Sequence, residues 1–362
     1  MSVVTKKDVK KENMILTLIL WGILTCGCMA SMLYVASRKT IVIADTIRDE
    51  SSLPEDTLDV GRQELLLQEN YDKEACIRIP IEKGSKAENV VMENRYMERE
   101  LWIYLKDAKA EFYEKNAIHG NLASVQNGYC ERNSDGVVLK LCMKDILEYR
   151  STMEENSLVI AYYEPEKLYE QIVVVDPMGG GMEKGASTDT ASEKEITLQV
   201  ARQLQKKWEQ EKIKLYFTRV EDVFVSLQER LELVEAVDAD IYIGIGACAD
   251  AEHSERYGIH SFYNAEYFIP EFGNIQLADV LTRNVTVAAS NRAIGLTSAA
   301  DESILSDIEI PAAEICVGYL SNEKECALLQ QQHYQEKLAE GLANAILEVY
   351  TDTDWNDEEG NS

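Results

Sequence analysis

Histidine is nearly absent from this chain, with four in 362 residues. Any imidazole-based centre must therefore draw on His119, His253, His260 or His333. Basic residues are also short: 36 Lys and Arg against 64 Asp and Glu leave a formal charge of −28. That deficit excludes a nucleic-acid partner, whose phosphates require basic surface to displace their counterions. It equally excludes electrostatic attraction to anionic lipids or wall polymers, and the excess charge reads as solvated acidic surface. No CxxC pair and no internal repeat occur. Cys76, Cys130, Cys142, Cys248, Cys316 and Cys326 follow no compact disulfide framework and read as buried small apolar residues; Cys130 with Cys142 is the one local bridge the spacing permits as an alternative.

What is present begins with an uncharged run from Met14 to Ala36, long enough to cross a bilayer as a helix. Lys6, Lys7, Lys10 and Lys11 precede it, while Asp45, Asp49 and Glu50 follow soon after Arg38 and Lys39. Lysine and arginine are retained on the cytoplasmic side, so the bias predicts a signal anchor at 14–36, a cytoplasmic basic tail at 1–13, and the main domains outside the cell membrane. A cleaved signal peptide is the alternative, but it has a shorter apolar region and a small-x-small site. A lipoprotein at Cys26 or Cys28 fits the preceding residues poorly.

Residues 37–72 are polar and acidic and read as a stalk, with room for a short helix around Arg62–Tyr71. From 73 to 168 short runs alternate with period two, as in "LWIYLKD", "VLKLCMK" and "SLVIAYY", which predicts a small, mostly antiparallel β-rich domain. From 170 to 350 the rhythm changes. "QIVVVD" is an apolar run of the kind buried on both faces of a sheet. Helical stripes, such as Leu198, Ala201, Leu204 and Trp208, then alternate with "KLYFTR", "DIYIGIG", "GIHSFYN" and "AAEICVGYL". The fold class expected is α/β: a mostly parallel sheet flanked by helices, with ligand groups at the carboxyl ends of its strands. The acidic stretch 351–362 has a composition that predicts disorder.

Five segments occur in a recognisable order: "IVVVDPMGGG", "EKEITLQVARQL", "LYFTRVEDVFVSLQERLELV", "ADIYIGIGACA" and "EICVGYLSN". Together they resemble the catalytic domain of zinc-dependent N-acetylmuramoyl-L-alanine amidases, which cleave the bond between muramic acid and the stem peptide of peptidoglycan. The resemblance covers about half the chain. It implies a zinc held by a histidine in the first loop, a glutamate opening the next helix and a histidine after the third strand, with a second glutamate on a late strand as general acid/base. On this sequence those positions are Gly179, Glu193, Gly246 and Cys316, so Glu193 alone keeps its ligand type.

A catalytic zinc takes about three protein ligands and an open position for water. A single carboxylate binds zinc weakly, and without the cation nothing lowers the pKa of water to where hydroxide forms near neutrality. The expectation is therefore a catalytically inert domain with no zinc or other cofactor. Its role would be to bind peptidoglycan or a cell-wall remodelling protein. The alternative is an active amidase with a non-standard site, for which Cys248, Cys316, Glu193 and His260 supply a conceivable Cys/His nucleophile or Cys/Glu metal set; small residues filling vacated space is the simpler expectation for the cysteines. Asp176 belongs to the ligand-supporting shell in the resembled family; here it is expected to brace the glycine loop. Arg219 with Asp222 reads as a structural turn, Arg230 as a buried ion-pair partner, and Asn322 as a helix cap. The β-rich domain is similar to AMIN-type wall-targeting modules only in position and strand rhythm.

Overall fold

A computed structural model describes residues 39–41, 43–45, 62–70, 75–300 and 303–351. The expected anchor at 14–36 and residues 352–362 lie outside these; among the described residues no helix is long and apolar enough to cross a membrane. The chain divides into two units, the first comprising residues up to Arg95 with Glu100–Lys144 and Tyr149–Tyr162.

The first unit has two six-stranded sheets. One contains β1 (Lys39–Ile41), β4 (Leu67–Glu69), β5 (Cys76–Pro80), β8 (Ile118–Gly120), β11 (Glu148–Met153) and β12 (Ser157–Tyr163), in the order β1-β11-β12-β5-β8-β4. The other contains β2 (Ile43–Asp45), β3 (Gln63–Glu64), β6 (Val90–Arg95), β7 (Glu100–Lys106), β9 (Val125–Arg132) and β10 (Gly136–Met143), in the order β2-β6-β7-β10-β9-β3. The period-two reading holds in detail: Leu139, Leu141 and Met143 are buried while Lys140 and Cys142 are less so. A short helix, α1 (Ala110–Tyr113), interrupts the strands.

The stalk reading needs correction. Segments within 37–72 pair into the sheets: β1 with β11, β2 with β6, β3 with β9 and β4 with β8. Among the described residues 62–70 no helix forms, and Leu65 is instead buried. All four strands occupy sheet edges, where they satisfy backbone groups that would otherwise be left open.

The second unit runs from Tyr163 and also takes in Tyr96–Arg99 and Asp145–Glu148, so the β-rich segment is not one continuous domain from 73 to 168. Its sheet comprises β13 (Gln171–Pro177), β14 (Ile213–Phe217), β15 (Ile241–Cys248), β16 (Ile259–Tyr263), β17 (Ala293–Ser298) and β18 (Ala312–Tyr319), in the order β14-β13-β15-β18-β16-β17. The first four are parallel neighbours; β16 runs antiparallel to β18, and β17 parallel to β16. The helices are α2 (Glu193–Lys207), α3 (Leu227–Ala236), α4 (Asn274–Ala289), α5 (Glu323–Leu329) and α6 (Gln332–Thr351).

Strand residues divide by parity between two cores. Val173, Val175, Ile243, Ile245 and Ile315 pack with Val200, Leu281 and Leu342 from α2, α4 and α6. Val174, Tyr216, Tyr242 and Ala312 pack with Leu233 of α3, Leu305, and also Tyr96 and Ile146. The added segments serve β14: Tyr96 Oη donates to Phe217 O and accepts from Phe217 N, both at 2.9 Å. Glu148 accepts from Tyr216 Oη at 2.6 Å and pairs with Lys214 at 3.1 Å. Asn322 caps α5 by accepting from Lys324 N and Glu325 N, as expected.

Candidate functional site

The carboxyl ends of β13, β15 and β18 converge with the start of α2. Asp176, second from last in β13, is fully buried. Thr218 Oγ1 donates to it at 2.5 Å, Tyr242 Oη also donates to it, and Arg230 forms an ion pair with it. Arg230 also donates to Gly179 O and Val225 O, each at 3.1 Å. Arg219 reaches Pro177 O, Met178 O and Lys194 O at 2.8, 3.1 and 2.9 Å. Two arginines thus hold the loop carbonyls, and Asp176 is connected to the loop through Arg230. Asp222 accepts from Gly181 N at 2.9 Å and from Lys194 Nζ at 2.7 Å.

Glycine is required in that loop. Gly179 has φ +74°, and a Cβ there would lie 2.8 Å from Glu183 O. The face of β15 opposite α2 carries Tyr242, Gly244 and Gly246. Register sets Gly244 beside Glu314 and Gly246 beside Cys316 on β18.

Glu193 opens α2. Its Oε2 accepts from Ala186 N at 2.9 Å and its Oε1 from Ala247 N at 2.8 Å. The carboxylate therefore links the loop to the end of β15. Burial raises its pKa, while the two amides act in the opposite sense. A Cβ built on Gly246 would meet Glu314 Oε1 at 2.9 Å and Glu193 Oε1 at 3.1 Å, so two carboxyl groups flank the same glycine. Burial, then the charges of Glu193 and Asp176, push the Glu314 carboxyl up to about 7.

One expectation for the cysteines is corrected. Cys248 and Cys316 are not separate packing residues: they form a disulfide, with Cα atoms 5.7 Å apart. Cys130 and Cys142 are free. Their partners across β9 and β10 are Leu139 and Asn127, so the two thiols project from opposite faces of the sheet. With both sulfurs joined, neither a Cys316 nucleophile nor a Cys/Glu metal set is available. His260 stands beside Cys316 on β16, but its ring is engaged by Tyr319 Oη at 3.0 Å and Thr297 Oγ1 at 2.7 Å. Burial, then Arg256, lowers its pKa. His119, His253 and His333 are exposed, and His253 faces Asp250.

Glu314 was missed by sequence reasoning. Its signal was an acid inside an otherwise apolar strand, two residues before Cys316 and hence on the same face.

The profile of the N-acetylmuramoyl-L-alanine amidase family matches residues 173–348. Residues 173–348, within the second unit, carry a domain of that family. Among curated relatives, the germination-specific N-acetylmuramoyl-L-alanine amidase of Bacillus subtilis is 28% identical over 199 residues, covering 50% of this chain and 81% of the relative. The probable cell wall amidase LytH of Staphylococcus aureus is 27% identical over 188 residues, covering 51% of this chain and 60% of LytH. Among solved structures, an N-acetylmuramoyl-L-alanine amidase of Clostridium difficile 630 aligns with 27% identity and a TM-score of 0.47, over 51% of this chain and 98% of that one.

Among the described residues no three His, Cys, Asp or Glu side chains converge on one point. Gly179 and Gly246 have no donor atom, both Glu193 oxygens accept backbone amides, and the nearby sulfurs are bonded to each other.

Proposed function

We propose that this chain is a membrane-anchored cell-envelope protein whose amidase-family domain binds peptidoglycan, or a cell-wall remodelling protein, without hydrolysing it. The observation that carries the reading is Glu193. The one retained ligand type is clamped between Ala186 N and Ala247 N, with glycine at the two positions the family gives to histidine. A lone carboxylate so held does not select zinc, and no hydroxide is generated. The loop keeps features suited to binding. It carries Met182 at 94% exposure, and Phe224, 57% exposed, lies against its neighbour Gly181, where a built Cβ would stand 3.0 Å from Phe224 Cβ. Exposed apolar side chains of this kind suit a peptide ligand.

Placement outside the membrane rests on the uncharged run 14–36 and its flanking lysines, and a disulfide within the domain is compatible with an oxidising compartment.

The test incubates the full chain, in detergent micelles, with purified sacculi. Co-sedimentation without peptide release, and no bound zinc by elemental analysis, are expected. Stoichiometric zinc with peptide release abolished by Glu193→Ala overturns the reading. Absence of co-sedimentation transfers the role to a protein partner.

One observation favours the alternative of an active amidase with a non-standard site: the Glu314 and Glu193 carboxyl groups both lie against Gly246, where desolvation raises the Glu314 carboxyl to about 7, suited to proton transfer at neutral pH. That reading requires peptide release that Glu314→Gln removes.

A further inference from the structure

We infer that the Cys248–Cys316 disulfide, together with the two amide contacts of Glu193, holds the carboxyl ends of β15 and β18 without a bound metal ion. The inference rests on the non-catalytic reading and deepens it. A zinc held by residues at 179, 193 and 246 would tie three pieces together: the loop after β13, the start of α2 and the end of β15. In this chain Glu193 makes two of those ties through Ala186 N and Ala247 N. The disulfide then fastens the end of β15 to β18, joining residues 68 apart in sequence.

The bond sits where such a tie is needed. Strand register shifts between Gly246 and Cys248, so the regular ladder to β18 is broken just before Cys248. Beyond it, the backbone connection resumes with Leu320 N donating to Cys248 O at 2.8 Å. The disulfide spans this irregularity. Cys316 also lies beside His260, whose ring is bonded to Tyr319 and Thr297, so the covalent link is continuous with the hydrogen bonds joining β16, β17 and β18.

In the cell the bond forms by exchange with a donor disulfide. One thiolate attacks a donor sulfur, the second displaces it, and the donor leaves as a dithiol carrying the two electrons. Dithiothreitol runs the exchange in reverse, delivering two electrons and two protons to the cysteines and ending as its cyclic disulfide.

The test uses the full chain in detergent micelles. Non-reducing peptide mapping should recover the Cys248 and Cys316 peptides joined. Dithiothreitol should lower the thermal midpoint of the amidase-family domain by about 10 °C, while EDTA leaves it unchanged. Cys248→Ala/Cys316→Ala should have the lowered midpoint and no response to dithiothreitol. Free thiols at both positions in air-oxidised protein, or a wild-type midpoint indifferent to dithiothreitol, overturn the inference. Zinc content measured on the same sample separates the two proposals: bound zinc with an intact disulfide sinks the non-catalytic reading and the metal-free hold on β15 and β18, whereas free thiols without zinc sink the cross-link alone.

Discussion

Replacing Arg230 by methionine tests whether the glycine loop is held by buried ionic contacts. Arg230 and Asp176 are paired at side-chain exposures of 7% and 0%. Removing one member of a buried pair leaves an uncompensated charge, a loss of roughly 3–5 kcal/mol. Thr218 and Tyr242 still donate to Asp176 in the variant, which places the electrostatic part near the lower end, about 3 kcal/mol. Gly179 O and Val225 O also lose a charged donor, adding about 1 kcal/mol together after partial rescue by water. The total of roughly 4 kcal/mol corresponds to a fall of about 10 °C in thermal midpoint for a unit of this size. Local hydrogen exchange should show the loss in peptides from β13 and β15. Asp176→Asn combined with Arg230→Met removes both charges, and at least half the stability should return, because neutral replacement of a buried pair is commonly tolerated. A single-variant loss below about 1 kcal/mol, or strictly additive losses in the double variant, refutes the reasoning.

Two further outcomes follow from the same site. The Glu314 carboxyl is raised from an ordinary 4.5 to about 7, so the folded state favours its protonated form. Its contribution to stability is complete below the unfolded value and is lost as pH rises through the folded one, a change of about 3 kcal/mol. Urea melts at pH 5 and pH 8 should therefore show wild type losing stability at the higher pH and Glu314→Gln losing much less; equal pH slopes defeat this account. Histidine replacement should be asymmetric. Gly179→His forces a left-handed residue against Glu183 O and should cost roughly 1–3 kcal/mol. Gly246→His meets only the ends of two glutamates and should fold with a smaller loss. Equal midpoints for the two variants contradict that reading.

The second unit was legible because its strands are buried on both faces and its helices carry one apolar stripe. "QIVVVD" became β13, and the helix expected from about Glu193 became α2. Motif order set Glu193 at a helix start and Gly246 near the end of a strand, and the structure has them so, at the start of α2 and near the end of β15. Short edge strands were not legible. β3 is two residues long and β1, β2 and β4 three each, too short for alternation to be recognised in polar sequence. The segments 96–99 and 145–148 were hidden for another reason: each is four residues inside a β pattern, and only Tyr96 and Glu148 reveal, through bonds to Phe217 and Tyr216, where they belong. The disulfide was beyond sequence reasoning because Cys248 and Cys316 are brought together only by the pairing of β15 with β18.

Glu314 shows why counting aligned positions was insufficient. It stands two residues before Cys316, and on a pleated strand that means the same face, about 7 Å farther from the strand end. A carboxylate moved by that step is not an equivalent acid, since it leaves the mouth of the cleft and lies over Gly244 and Gly246. Cβ atoms built on those glycines would fall 3.3 Å from Glu314 Cγ and 2.9 Å from its Oε1. Histidine at 246 and glutamate at 314 therefore compete for one volume. Glycine at 246 and the acid at 314 fit together in the packing, and desolvation is the first cause that raises the Glu314 carboxyl towards neutrality. Restoring the histidine while Glu314 remains requires the end of Glu314 to swing aside, so the Gly246→His variant should gain stability when Glu314 is shortened with it.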